Sequence, residues 1–414
     1  MKHQLLLDIV STLLDPTLHW SEVLITSGQP LKFNTPSGPR VLPALPNSVT
    51  EKDVQDLVTE LYHARFGTSE DADRHLLAMR DRLPIGMAML DDPVALAARA
   101  GLLHTAQEVD LVTTGGETMP VRLRFAVVVH GKTDRPSYRI ACRSQRIAPP
   151  TLDALGMSRW ISTLTGGNGI ILITGPTRHA KSTTAASIID HIRQHNQTGG
   201  HLATIEDPIE YVFGETNRFV VTQREIGVHY VDYAQAARET MRIAPTIVFL
   251  HEILNASAAQ AALQLGTTGH LTIATMQADT VEGAVSKFLT FLEDDTQRNA
   301  FLQNLRGVVR TCLMPNAAKG NLPAGSQFVF ASEVLDATLI PSLDDRRTTL
   351  LSGSPRANLK QQPGAFEPLN KSLERLVTEG AIDAETARKH SNDPSDERFQ
   401  LQSRNTIVTT RSVR

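Results

Sequence analysis

An α/β fold with a mostly parallel sheet follows from two observations. Short apolar runs of strand length recur at 169–174, 201–206, 246–251 and 270–275, and helical periodicity follows several of them across polar turns. Such runs, bounded by turns and alternating with helices, fit strands buried on both faces of a parallel sheet. None approaches the ~20 apolar residues needed to span a bilayer.

The chain has 414 residues, enough for two or three domains at roughly 150 residues each. Lys and Arg number 41 against 44 Asp and Glu. That near balance excludes nucleic-acid binding through bulk positive charge, and no direct sequence-specific nucleic-acid binding is expected. Only Cys142 and Cys312 occur, which excludes a disulfide scaffold and a four-cysteine zinc site and suits a reducing compartment. Near the amino terminus Leu5, Leu6, Ile9, Leu13 and Leu14 recur at helical spacing. Asp8 interrupts that apolar stretch and no small-residue cleavage site follows, so the expectation is a soluble cytoplasmic protein rather than a secreted one.

Along the first 148 residues the signals mix. Val23–Thr26 leading into Ser27-Gly28-Gln29-Pro30 predicts a strand and turn. Val54, Leu57, Val58 and Leu61 mark an amphipathic helix, and Val121–Val129 reads as a strand presenting Arg122 and Arg124 on one face. Pro149-Pro150 then interrupts regular structure, because proline donates no backbone hydrogen bond; a linker falls at about 145–152. The predicted divisions are an amino-terminal α/β domain (1–148), a core of alternating strands and helices (149–335), a helical region (336–402) and a terminal tail (403–414). In the helical region Leu369, Leu373, Leu376 and Val377 set one amphipathic helix, with a second around 384–390.

The central signal is the run from Gly169 through Gly175-Pro176-Thr177-Arg178-His179-Ala180-Lys181-Ser182-Thr183. A buried strand enters a turn that opens a helix, which is the context a phosphate-binding loop requires. Backbone N–H groups of such a turn face an anion, Lys181 would contact the outer phosphates of ATP, and the Ser182 hydroxyl would ligate Mg²⁺. Ala180 stands where glycine usually occupies this motif. A left-handed turn there costs about 1–2 kcal/mol.

Downstream, Thr204-Ile205-Glu206-Asp207-Pro208-Ile209-Glu210 ends a strand with three acids in five residues. Gln223-Arg224-Glu225, Ala237–Pro245, the strand ending His251-Glu252, and Thr267-Thr268-Gly269-His270 through Gln277 follow. In this order and spacing the segments resemble the type II/type IV secretion ATPase superfamily, with its Asp box, Walker B strand and His box. Within it the PilT-like branch is most similar, together with the DotB/TraJ-type ATPases of type IVB secretion and plasmid transfer. The resemblance implies a RecA-like P-loop ATPase core. It also implies a hexameric motor that hydrolyses ATP with Mg²⁺, attached peripherally to inner-membrane components of a secretion, conjugation or pilus machine. It assigns Glu252, Glu206 and His270 to catalysis, His270 being expected beside the nucleotide crevice, with a hydrogen-bonded core histidine as the alternative. Arg124, Arg143 and Arg146 are assigned to positive charge presented to a neighbouring subunit's phosphate.

The sequence departs from that pattern at Ala180, at Ala244-Pro245-Thr246, at His251 where glycine is usual, at Leu254-Asn255, and at Gln277 where a second histidine is usual. These departures keep open a nucleotide-binding, poorly hydrolytic regulatory or scaffold subunit. A DNA-translocating helicase is the weaker rival, since aromatic residues make up only 5% and no basic stripe interleaves with them. Among the 14 histidines, His191 and His195 have an i,i+4 spacing that could hold zinc, but no acid lies between them, and an exposed helix face is the simpler reading.

Overall fold

The computed structural model describes residues 22–35, 38–41, 49–67, 73, 93–99, 103–112, 118–132, 135–145, 148–157, 160, 166–316, 328–362 and 364–392. The predicted helix over Leu5–Leu14 and the tail from Ser403 lie outside them. The chain separates into two compact units. One comprises Met1–Ala148 with Pro208–Val212, the other Pro149–Asp207 with Phe213–Arg414. The short return of Pro208–Val212 to the first unit is a feature that local sequence patterns did not indicate.

The first unit contains β1 (Glu22–Thr26), β2 (Lys32–Thr35), β3 (Gly38–Val41), α1 (Glu51–Phe66), α2 (Pro93–Arg99), β4 (His104–Val112), β5 (Thr118–Lys132) and β6 (Arg135–Gln145). Its strands form one antiparallel sheet in the order β3-β2-β1-β6-β5-β4. Helix α1 starts at Thr50, whose hydroxyl accepts from the Asp53 N–H while the Asp53 carboxylate accepts from the Thr50 N–H. This reciprocal cap satisfies two otherwise orphaned donors. Val54, Leu57, Val58 and Leu61, spaced to share one helix face, are each no more than 1% exposed, as their periodicity predicts.

The second unit holds an eight-stranded sheet in the order β14-β13-β12-β7-β11-β10-β8-β9. From β12 (Leu305–Pro315) through β7 (Gly169–Thr174), β11 (Leu271–Met276), β10 (Ile247–Ile253) and β8 (Gly200–Glu206) to β9 (Phe219–Glu225), all pairings are parallel. β13 (Phe328–Asp336) and β14 (Phe366–Glu367) complete the far edge antiparallel. The four strands expected from apolar runs are β7, β8, β10 and β11, each within two residues of its predicted bounds; β9, β12 and β13 were not anticipated. Helices α3 (Lys181–His195), α4 (Tyr233–Arg242), α5 (Ala256–Thr267), α6 (Val281–Thr290) and α7 (Asp295–Asn304) cross between strands. α8 (Leu343–Leu351), α9 (Pro355–Lys360), α10 (Leu369–Thr378) and α11 (Ala384–His390) follow.

Every residue of β7 and β11 is buried. Ile170, Leu172, Val248, Leu250 and Ala274 join α4–α7 in the main core, where Phe288 and Phe301 stack at 4.0 Å. A second cluster packs Cys312, Met314, Val329 and Ala331 against Leu369, Leu373 and Leu376 of α10. Ile170, Ile171, Leu172 and Ile173 are all 0% exposed, and their burial contributes roughly 6–12 kcal/mol. That exceeds by severalfold the strain of the turn they lead into, so β7 is a firm base for an unfavourable loop.

Candidate nucleotide site

Parallel strands start at one edge of a sheet and finish at the other, so whatever follows their carboxyl ends gathers along a single rim. Register places Leu172, Ala274, Leu250 and Ile205 at one level across β7, β11, β10 and β8. Continuing past that level brings the 175–180 loop, Gln277, His251-Glu252 and Glu206 to the same rim.

The loop is fastened from several sides. Thr311 Oγ1 donates to the Thr174 carbonyl at 3.1 Å, and Thr174 Oγ1 donates to the Ala278 carbonyl at 3.1 Å. The Leu313 N–H donates to His179 Nδ1 at 3.1 Å, a tie between the loop and β12. Gly175, at φ 146°, has no alternative: a Cβ there would lie 2.6 Å from the Thr311 carbonyl oxygen. Arg178 and Ala180 both have positive φ, 69° and 64°, so the left-handed turn expected at Ala180 is present. Pro176 is half-buried, Thr177 and Arg178 are exposed, and Ser182 and Thr183 are half-buried in the first turn of α3.

Helix α3 begins differently from its neighbours. Asp232, Asn255, Thr280, Asp294 and Ser342 cap α4 to α8 through their side chains, whereas Ala180 gives α3 no side-chain cap. A fifteen-residue helix without a capping oxygen turns its positive end toward the loop, a setting suited to a phosphate group.

Lys181 is 8% exposed, and its Nζ donates to the Pro176 carbonyl at 3.1 Å. The same ammonium lies 3.6 Å from Glu252 Oε1. Glu252 Oε2 accepts a long hydrogen bond of 3.4 Å from Gln277 Nε2, and Lys287 Nζ donates to the Gln277 carbonyl at 2.8 Å. Glu252 Oε1 is buried without a hydrogen-bond partner among the described residues. Tyr233 donates to the Glu252 carbonyl at 3.4 Å; burial, and then Asp207 and Glu252 nearby, push its hydroxyl well above the ordinary tyrosine value. Glu206 is 1% exposed and accepts from Gln223 Nε2 at 3.1 Å. Ser182 Oγ is 2.9 Å from His251 Nε2.

His270 requires a correction. It precedes Leu271, which pairs with Gly169 at the start of β7, and its carbonyl accepts from the Gly169 N–H at 3.0 Å. It therefore stands at the opening end of β11, a full strand length from the loop. Its Nδ1 lies 3.1 Å from the Leu265 carbonyl and 3.2 Å from Thr268 Oγ1. These bonds hold the turn between α5 and β11, away from the rim beside which the residue was expected. The motif position that reaches the rim is Gln277, whose importance sequence order alone did not reveal. The equally telling contact of His251 with Ser182 is likewise invisible in a linear reading.

Two predicted arginines are ion-paired within the first unit: Arg124 with Glu210, and Arg143 Nε with Glu22 Oε1 at 2.7 Å. The buried Arg122 donates to the Ile209 carbonyl at 2.8 Å. Arg146 lies outside the described residues.

A profile described as type II/IV secretion system protein matches residues 116–321. Over those residues the chain carries the domain of the type II/IV secretion ATPase superfamily. It is 34% identical over 178 residues to the uncharacterized protein YggR of Escherichia coli K12, covering 42% of this chain and 53% of that protein. With the type IV pilus ATPase PilU of Pseudomonas aeruginosa PAO1 it shares 28% identity over 256 residues, 61% of this chain and 64% of PilU. The chain thus spans between half and two-thirds of these two relatives. Among solved structures, the pilus retraction motor PilT with bound ADP superposes with a TM-score of 0.63 at 24% identity, covering 94% of this chain and 98% of that one. The ATPase DotB of Yersinia pseudotuberculosis gives 0.64 at 20% identity, covering 93% and 92%. These superpositions establish the shared α/β fold.

Proposed function

We propose that the chain is a Mg²⁺-dependent ATPase working as a homo-oligomeric, hexameric motor of a secretion, conjugative-transfer or pilus machine. One observation carries the enzymatic part. The buried Lys181 sits between the loop carbonyl of Pro176 and the carboxylate of Glu252, joining the phosphate-binding and water-activating ends of one site.

The residues fit nucleotide and cation. The loop turns through positive φ at Gly175, Arg178 and Ala180, α3 has no competing side-chain cap, Lys181 supplies positive charge, and Ser182 offers a hydroxyl at the first helical turn. Mg²⁺, when bound with ATP, neutralises charge shared between phosphate oxygens. Lys181 exchanges its Pro176 carbonyl for a phosphate oxygen when nucleotide binds. Glu252 then accepts a proton from the attacking water, and Gln277 keeps its carboxylate aimed. Glu206, buried at the end of β8, adds a second carboxylate at the rim. For Arg124 and Arg143 to stabilise phosphate charge, they must exchange Glu210 and Glu22 for phosphate oxygens.

Among the described residues no helix is long and apolar enough to cross a membrane. In the proposed machine the motor works on the cytoplasmic side, held to the inner-membrane components by protein partners. A second reading, a subunit that binds nucleotide with little turnover, draws on the contact between His251 and Ser182.

Phosphate release by the purified full chain with Mg²⁺ and ATP tests the proposal. Turnover should vanish in Lys181→Ala and slow sharply in Glu252→Gln, with nucleotide binding largely kept in the latter. Tight nucleotide binding without turnover in the unaltered protein would favour the second reading.

A further inference from the structure

His251 occupies the position before Glu252 on β10 and is 6% exposed. Its Nε2 lies 2.9 Å from Ser182 Oγ, bridging residues 69 positions apart in the chain. Its Nδ1 is buried with no hydrogen-bond partner among the described residues. Its ring also lies 6.0 Å from that of Phe249 in a tilted approach. An imidazole so placed is poorly explained as a packing residue: it buries a polar ring and satisfies only one of its two nitrogens.

The distance suggests another use. Two neighbouring ligands of an octahedral cation, each about 2.1–2.2 Å from it, stand about 3 Å apart. The oxygen of Ser182 and the nitrogen of His251 already have that separation, and both side chains are anchored, one on the first turn of α3 and the other on a central strand. Among the described residues no three His, Cys, Asp or Glu side chains gather into a metal cluster. The two ligands therefore make a site only when nucleotide phosphates supply the rest.

We propose that His251 Nε2 joins Ser182 Oγ as a ligand of the nucleotide-bound divalent cation, so that the site, while it works with Mg²⁺, binds a first-row transition ion of the Mn²⁺ class more tightly. This inference rests on the nucleotide-site reading above. Mg²⁺ demands oxygen ligands and gives up water reluctantly, whereas imidazole nitrogen suits transition ions, and Mn²⁺ also accepts phosphate oxygen. Ser182 provides a ligand usable by either ion; His251 tips the choice.

The test is pulsed electron paramagnetic resonance on the full chain with Mn²⁺ and ADP. The expected spectrum contains ³¹P coupling from the phosphates and ¹⁴N modulation from a directly bound nitrogen. Labelling histidine with ¹⁵N should convert that modulation to the ¹⁵N pattern, a readout that needs no mutant. In His251→Ala the nitrogen signal should disappear while ³¹P coupling persists, and the Mn²⁺ over Mg²⁺ preference in ADP binding should fall by roughly tenfold or more. Phosphorus coupling without histidine nitrogen in the unaltered protein would overturn the ligand assignment and leave the nucleotide site standing. Absence of both couplings would overturn the nucleotide site, and the ligand assignment with it.

Discussion

Replacing Ala180 with glycine should stabilise the folded protein, an unusual direction for a change that removes a side chain next to a helix. Ala180 has φ 64° and ψ 26°. In that left-handed region Cβ crowds the following carbonyl, at a cost of about 1–2 kcal/mol that glycine escapes. Glycine also loosens the unfolded chain, which takes back about 0.4–1 kcal/mol. The net gain is about 1 kcal/mol, or ~2–4 °C in Tm for a domain of 150–250 residues. Thermal melts followed by circular dichroism would measure it, with Ala300→Gly in the middle of α7 as the control. There the backbone is helical, no strain is relieved, and glycine should cost about 1 kcal/mol. If Ala180→Gly lowers Tm as Ala300→Gly does, the strain reasoning is wrong. Calorimetric titration with nucleotide reports separately on the binding step. A gain of up to about tenfold is what 1–2 kcal/mol relieved at that step would produce.

Gln277→Ala removes the long hydrogen bond to Glu252; steady-state phosphate release should fall by roughly two- to tenfold, with nucleotide affinity unchanged. Both thiols should resist alkylation until the chain unfolds. Burial, and secondarily Glu22, raises the Cys142 pKa, and burial raises that of Cys312, leaving little of the reactive thiolate. Stability should decline as pH falls below about 6.5, the ordinary histidine value. Burial, then the charges of His390, Arg310 and Lys181, lowers the His179 pKa, and burial, then the stacked His195, lowers that of His191. The unfolded chain thus binds protons more readily in that window, so the stabilising contribution is complete above pH 6.5 and shrinks toward the folded pKa values. Denaturant melts across pH 5–8 on the native chain and on His179→Asn, which keeps an acceptor for the Leu313 N–H, should show a shallower pH slope in the variant.

Several features were legible in the sequence because they depend on neighbours in the chain. The spacing from Gly175 to Lys181 and Ser182 specifies a strand, a turn and a helix start within a few residues. Continuous apolar runs mark β7, β8, β10 and β11 because a strand buried on both faces shows no alternation. Even the left-handed turn at Ala180 follows from its place in the loop. Strand β12 was less visible, since Arg306 and Arg310 interrupt its apolar pattern and its burial depends on β7 and β13 flanking it.

What sequence order left open is which end of each strand meets the loop, and which side chains converge there. His270 and Gln277 are seven positions apart in one motif, yet a single strand of rise about 3.3 Å per residue carries them to opposite edges of the sheet. Only the parallel register, Leu271 with Gly169 and Met276 with Thr174, assigns Gln277 to the rim and His270 to the far side. The contact between His251 and Ser182 has the same origin. By itself the sequence determined the identities of the loop, its helix and the four strands β7, β8, β10 and β11, because propensity and periodicity act over a few residues. The tertiary structure decided the partners, because strand pairing brings residues 69 positions apart within hydrogen-bond reach and no local pattern encodes that distance.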